Sequence, residues 1–267
     1  MPVRLLHMSD IHFGGEDAPA LAAATAFARA APYDLLVLTG DLTQFGHHDE
    51  FAAVKRWLAE LPQPLLATPG NHDTPWFGLV ERVASPFGRY ARAVGPPDAE
   101  RFEGEGFMVR TINSARGWQI RLNWSKGHIS RFQTMRASRR ISSAAPGALR
   151  VIACHHPLVE AVGGPMTARV RGGRFAARRL VAAGTDVVMT GHLHAPFVQP
   201  LPFGDGLTYA VGAGTLSLRE RGAPPGFNVI ETLGDELSVT AMAWDGKALG
   251  VEKTWLVPLR PRPGQEH

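Results

Sequence analysis

A single cysteine, Cys154, among 267 residues leaves nothing for it to pair with inside the chain. A disulfide framework is excluded, and this cysteine usage suits a reducing compartment, so a cytoplasmic location is expected. Long apolar runs are missing as well: none approaches the roughly 20 residues that span a bilayer. The opening MPVRLLHMSD is broken by Asp10 and His12 before a signal-peptide core can form, and no small-residue cleavage site follows, so no signal peptide is expected. Charge of one sign is scarce too. The formal net charge of +4, mostly arginine excess, is too small to diagnose nucleic-acid binding by itself. There is no internal repeat and no low-complexity linker. What is present is ordinary globular material, 45% hydrophobic and 19% charged, ample for a core in one large domain or two small ones.

Strand-like and helix-like stretches alternate along the first two thirds. Val3 to Met8, DLLVLTGD (34–41), Pro64 to Thr68, ALRVIACHHP (148–157) and DVVMTGHLH (186–194) read as buried strands. Between them, Ala18 to Ala30 is alanine-rich and free of breakers. DEFAAVKRWLAEL (49–61) puts Phe51, Val54, Leu58 and Leu61 at helical spacing, and GRFAARRLVAAG (173–184) is a third helix. Beyond Phe197, the segments GLTYAVGAGT, FNVIET, LSVTAMAWDG and VEKTWLVPL read as strands joined by turns. The middle, 85–146, is the least legible: hairpin strands around FMVRTINSA and WQIRLNW and a basic helix near 130–143, within the same domain or as a small insert. The last residues, 261–267, are expected to be loose. The whole predicts a layered α/β domain over 1–260.

Polar residues fall in one recurring place. Each of five buried strands ends in groups able to hold a metal: Asp10 and His12; Asp41 after Gly40; Asn71, His72 and Asp73 after Gly70; His155 and His156; His192 and His194 after Gly191. Ligands of open α/β sheets gather beyond the carboxyl ends of the strands, so the five clusters converge. Each is weak alone. In this order and at these positions they form one constellation.

That constellation resembles the calcineurin-like metallophosphoesterase superfamily, and within it the bacterial class III cyclic-nucleotide phosphodiesterases. The resemblance implies a four-layer αββα sandwich with a dinuclear metal centre at one edge. It implies that Asp10, His12 and His194 hold the first ion, that Asn71, His155 and His192 hold the second, and that Asp41 bridges them. Mixed nitrogen and oxygen donors without thiolate suit two divalent ions such as Mn, Fe, Zn or Co, with no choice among them. Such a pair neutralises an anionic diester and generates hydroxide from water for the attack. His72, with Asn71, is then expected at the substrate, where His72 contacts phosphoryl oxygens and protonates the leaving alkoxide. Asp73 is expected to orient His72.

Plainer roles stand beside these. Strand alternation sends His155 and His156 to opposite faces, so one of the two is the ligand, and the position two before a proline, the usual ligand position in similar sequences, favours His155. Cys154 is expected to be a small buried hydrophobe. His47 and His48 read as a solvated helix start. Asn113 and Arg116 are candidates for substrate contact, with ordinary loop polarity equally open. GAGTLS (212–217) lacks the third glycine of a dinucleotide loop. Arg171, Arg174 and Arg178 share a helical face, and Arg131, Arg139 and Arg140 add a second basic surface; a solvated face is favoured over a guide for polyanions. The expected partner is a small phosphodiester, with nucleic acid disfavoured and homo-oligomers left open. Nucleotide-sugar-lipid pyrophosphohydrolase and nuclease readings share the same motifs. A metal-binding scaffold without turnover is the non-enzymatic alternative, against which His72 counts, because a scaffold needs no free histidine.

Overall fold

The computed structural model describes residues 2–97, 101–119, 125–160 and 170–261. The strands, in chain order, are β1 (Arg4–Met8), β2 (Leu35–Leu38), β3 (Leu65–Ala67), β4 (Arg101–Gly104), β5 (Phe107–Thr111), β6 (Leu149–Ala153), β7 (Val187–Thr190), β8 (Phe197–Pro200), β9 (Tyr209–Gly212), β10 (Gly226–Leu233), β11 (Glu236–Trp244) and β12 (Leu249–Pro258). The helices are α1 (Ala18–Ala30), α2 (His48–Glu60), α3 (Leu79–Ala84), α4 (Gly88–Ala93), α5 (Arg131–Ser142) and α6 (Gly173–Ala182). The strands form two six-stranded sheets, ordered β12-β11-β10-β1-β2-β3 and β4-β5-β6-β7-β9-β8. β1, β2 and β3 are parallel, as are β5, β6, β7 and β9, while the remaining pairings are antiparallel.

Strand alternation builds the layers. In the first sheet, Leu5, Leu35 and Val37 point toward the second sheet, where they meet Val109, Val151, Val187, Met189 and Val211. Leu6, Met8, Leu36 and Leu38 point the other way, onto Leu21 and Ala24 of α1 and Phe51 and Val54 of α2. The second sheet's far face carries Met108, Ile152 and Val188, which pack on Ile141 of α5 and Leu180 of α6. The result is the expected four-layer αββα sandwich. Because the central strands are covered on both faces, they are largely apolar rather than alternating. Each fully buried Leu or Val contributes roughly 1.5–3 kcal/mol.

The helices start where local chemistry allows. The Asp17 carboxylate accepts from the Ala20 amide (3.0 Å) at the head of α1. Glu50 reaches back to accept from the His47 and Phe45 amides, both at 2.9 Å, so His47 sits at the start of α2 as a helix-entry residue. Ser130 and Gln133 cap α5 reciprocally.

The middle region belongs to the second sheet's layers: β5 pairs in parallel with β6, and α5 packs against α6. The short helices α3 and α4 escape a sequence reading because neither shows a sustained helical period. Most of the WQIRLNW segment, and the tail beyond 261, lie outside the described residues. One expectation about surface charge changes. α6 begins at Gly173, after Gly172 in left-handed backbone (φ 81°), so Arg171 lies off the helix it was expected to share. Arg174 and Arg178 do share a face, where both guanidinium groups lie over the Phe203 ring, 5.9 and 5.1 Å from its centroid.

Candidate metal centre

The parallel strands of both sheets end at one edge, and the loops leaving them are unusually constrained. Five non-glycine residues among those described have left-handed backbone: Asp10 (φ 55°), His12 (52°), Asp41 (51°), His192 (69°) and His194 (58°). All five are residues that the sequence singles out as ligands. Left-handed backbone is costly for residues carrying a Cβ, and such strain concentrates at functional sites. Glycine supplies the clearance beside them. A Cβ on Gly70 would lie 2.1 Å from Asp41 Oδ1, and one on Gly191 would lie 2.4 Å from Asp10 Oδ2.

The side chains close into overlapping clusters. Asp10, His12 and His194 bring one donor atom each within 4.8 Å of the others, and so do Asp10, Asp41 and His155. The same span holds His155 with His192 and His156, and Asp41 with His12 and His72. The backbone fixes which imidazole nitrogen is available. His194 Nδ1 donates to the Arg219 carbonyl (2.6 Å) and His155 Nδ1 donates to the Thr39 carbonyl (2.7 Å), so Nε2 of each ring turns inward. There, His194 Nε2 lies 3.4 Å from His12 Nε2 and 3.1 Å from Asp10 Oδ1, while His155 Nε2 lies 3.2 Å from Asp41 Oδ2. Asn71 Oδ1 is buried and accepts no hydrogen bond. Its neighbour's amide, that of His72, donates to Asp41 Oδ1 (2.8 Å). Inward imidazole nitrogens facing one another and facing carboxylates, with a buried orphan amide oxygen beside them, fit cations placed between them.

His156 differs from His155. Its Nε2 donates to the Ser125 carbonyl (2.8 Å), and its Nδ1 accepts from the Ser114 hydroxyl (2.8 Å). Both nitrogens are spent on the protein, and the ring packs against His192 at 4.6 Å between centroids. The geometry thus favours His155 as ligand. Cys154 points away into the apolar layer under α5 and α6, where burial pushes its thiol up to about 12.

Burial and charge set the protonation states. Burial, against the pull of Asp41 and Asp10, lowers His12 to about 3. Burial together with His155 lowers His192 to about 3. His155 behaves oppositely: burial disfavours its charged form, but Asp41 and Asp10 outweigh that and raise it to about 9. For Asp10 and Asp41, burial is overcome by the neighbouring histidines, and both carboxyls lie below the usual range.

His72 stands half-buried at the mouth. Its Nδ1 lies 2.6 Å from the Gln44 carbonyl, which only accepts, so Nδ1 carries the proton. Its Nε2 lies 3.1 Å from Arg219 Nη1, which only donates, so Nε2 is the accepting nitrogen in this arrangement. Asp73 does not touch this ring. Its carboxylate accepts from the Gly70 amide (2.8 Å), the Thr43 amide (2.9 Å) and the Thr43 hydroxyl (3.0 Å). Burial and nearby Asp41 raise it to about 7. Asp73 therefore pins the turn, and the Gln44 carbonyl orients His72 in its place.

Sequence reasoning passed over Arg219 and the aromatic wall. β9 lies parallel to β7, so its end also arrives at this edge; Thr215 Oγ1 donates to the Asp10 carbonyl (2.7 Å) just before the chain presents Arg219. The signal was an arginine pair, Arg219 and Arg221, soon after an apolar strand. Trp76 stacks on His72 at 5.9 Å, with Phe45 and Phe77 continuing the wall through His47. Asn113 and Arg116 line a different cavity, whose lining contains none of the expected ligands.

A family model described as calcineurin-like phosphoesterase matches residues 3–196. The chain belongs to the calcineurin-like phosphoesterase family. It is 26% identical to a protein of Synechococcus sp. named a probable cyclic nucleotide phosphodiesterase, over 86% of this chain and 88% of that one. Among solved structures, a purple acid phosphatase from yellow lupin seeds superposes with a TM-score of 0.68 at 12% identity, covering 97% of this chain and 54% of that one. Plasmodium GAP50, titled the anchor in the inner membrane complex, superposes with a TM-score of 0.61 at 11% identity, covering 98% and 90%. These two similarities show the fold alone. No helix among the described residues is long and apolar enough to cross a membrane.

Proposed function

We propose that this protein hydrolyses small phosphodiesters, cyclic nucleotides being the favoured class, at a two-cation centre. Asp10, His12 and His194 would hold one ion, Asn71, His155 and His192 the other, with Asp41 between them. The chemistry such a pair supplies when bound is neutralisation of the diester's charge and activation of water. The observation that carries the reading is the pairing of His72 with Arg219 at the mouth (3.1 Å), above buried donors that face inward. A scaffold has no use for an imidazole and a guanidinium joined over its metal ligands. A phosphoryl group does. Arg219 offers N–H groups to equatorial phosphoryl oxygens, and the Gln44 carbonyl keeps the His72 ring turned toward the same place. When substrate draws Arg219 onto its phosphoryl oxygens, Nε2 of His72 is freed to take up a proton from water and pass it to the departing alkoxide. The ring stack from His72 through Trp76 suits a leaving group that carries a flat ring.

The Synechococcus relative's name supports the cyclic-nucleotide choice. Monoester, pyrophosphate and polymer substrates fit the same donors less specifically, because none needs the ring stack. Stripped protein reloaded with Mn or Zn should be tested on cyclic nucleotides, linear diesters, monoesters and pyrophosphates. Cyclic nucleotides cleaved with the highest kcat/KM would support the proposal. Preference for monoesters or pyrophosphates by about tenfold or more would overturn it.

A further inference from the structure

On the far side of the second sheet, the gap between β5 and α5 is not filled by apolar side chains. It holds a cavity of about 440 Å³, lined among others by Arg110, Arg116, Arg136, Gln133, Phe87 and Phe132. That volume falls within the range of small-molecule sites.

Arg110 is the unusual member. It lies on β5, only 3% exposed, yet among the described residues its guanidinium makes no hydrogen bond or ion pair with the protein while lining the cavity. Its surroundings make this worse. Arg101 sits directly across the antiparallel pair, and the charges of Arg136 and Arg140 reach it from α5, so burial and three like charges all lower its pKa. A buried cation normally comes with a carboxylate, because an unpaired charge out of water is costly. Among the described residues, the charged groups that act on it are arginines. Arg116 has a different job: its guanidinium binds the Asn113 and Ala115 carbonyls and the Gln133 side chain, which stiffens one wall. Opposite the charge, Phe87, Ile112 and Ala137 give the cavity an apolar side, and Phe132, 75% exposed, stands at its rim.

We propose that this cavity is a second ligand site, separate from the metal centre, that takes an organic phosphate: the phosphoryl group on Arg110 and Arg136, and a flat apolar body against Phe87 and Phe132. A phosphoryl dianion would balance the arginine charges gathered there, and Arg is the side chain suited to bind it. The phenylalanines select a ring-bearing ester over the bare ion. This site does not rest on the reaction proposed above, and nothing in it requires a metal.

The test counts equivalents rather than turnover. Full-length, metal-loaded protein in phosphate-free buffer is titrated with adenosine 5′-monophosphate as probe. Arg110→Met and Arg136→Glu should each hold one equivalent fewer than the parent, whether or not the metal centre also binds the probe. Their metal content and diester turnover should be unchanged. Arg136 is on an exposed helix face, so its variant keeps the test open should the Arg110 variant misfold. Inorganic phosphate should displace the probe only at about tenfold or higher concentration, and adenosine should bind more weakly than its phosphate. Equal stoichiometry in the parent and both variants would overturn the site. Adenosine binding as tightly as the phosphate would overturn the arginine role, and bare phosphate binding as tightly as the nucleotide would overturn the ring-bearing ligand.

Discussion

Metal loading should expel a proton from His155. In the metal-free protein the carboxylates of Asp41 and Asp10 hold this imidazole at about 9, so at pH 7 it is almost wholly protonated. Its Nδ1 is committed to the Thr39 carbonyl, so the proton that competes with a cation is the one on Nε2. A cation must remove that proton to bind. Apparent affinity for the second ion should therefore rise about tenfold per pH unit below 9 and flatten above it. From pH 7 to pH 9 the ratio of the two proton terms, 101 to 2, gives about 50-fold, or about 2.3 kcal/mol. His12 and His192, at about 3, add nothing in that window. The same shift governs stability. Because the folded value lies above the ordinary 6.5, the metal-free protein has its full contribution from His155 below about pH 6.5 and loses it as pH rises through 9. Calorimetric titration of stripped protein, in buffers of different ionisation enthalpy at pH 7.5, should show about one proton released from this site. Affinity independent of pH between 7 and 9, with no proton release, would refute the reasoning.

Other perturbations reach different parts of the account. Gly70→Ala puts a Cβ where Asp41 Oδ1 and the Asp41 amide already lie, at 2.1 and 2.3 Å; it should lower metal occupancy and turnover about tenfold or more without removing a ligand, and normal metal content would contradict the Gly70 argument. His72→Ala should reduce turnover of cyclic nucleotides about 10²-fold while leaving metal content nearly intact, with a smaller loss on diesters whose leaving groups need no proton; equal losses on both would remove the acid role. Arg219→Met should raise KM and lower kcat on every diester in the panel, and unchanged kinetics would separate Arg219 from the phosphoryl group. Changing Arg171, Arg174 and Arg178 to glutamate should leave small-diester kcat/KM nearly unchanged from about 50 to 200 mM salt; salt-sensitive cleavage of single-stranded nucleic acid that collapses in this variant would favour the nuclease reading.

Much of the layered core was readable because its periodicities are strong. α1 occupies the alanine-rich Ala18–Ala30 stretch, and the apolar runs at 34–41 and 186–194 become fully buried central strands. The strand cores are shorter than the runs, since the polar ends that carry ligands bend into left-handed turns. The candidate ligand positions were legible because each one follows such a run. Other features depend on pairings between distant segments, which no local pattern encodes. His72 meets Arg219 across 147 residues, and the Gln44 carbonyl reaches it from 28 residues away, so the neighbouring Asp73 looked like the natural partner. Arg110 sits inside an ordinary strand pattern. The crowding of like charge around it emerges only when β4 and α5 bring further arginines near.

The central claim is that two cations, straddling Asp41, are needed for diester hydrolysis. Stripped protein titrated with Mn(II), while hydrolysis of bis(4-nitrophenyl) phosphate is followed, tests it most directly. The account predicts little activity through the first equivalent and a rise to the plateau with the second, with Asp41→Ala losing both occupancy of the second site and turnover. Full activity at one tightly held ion per chain would contradict it.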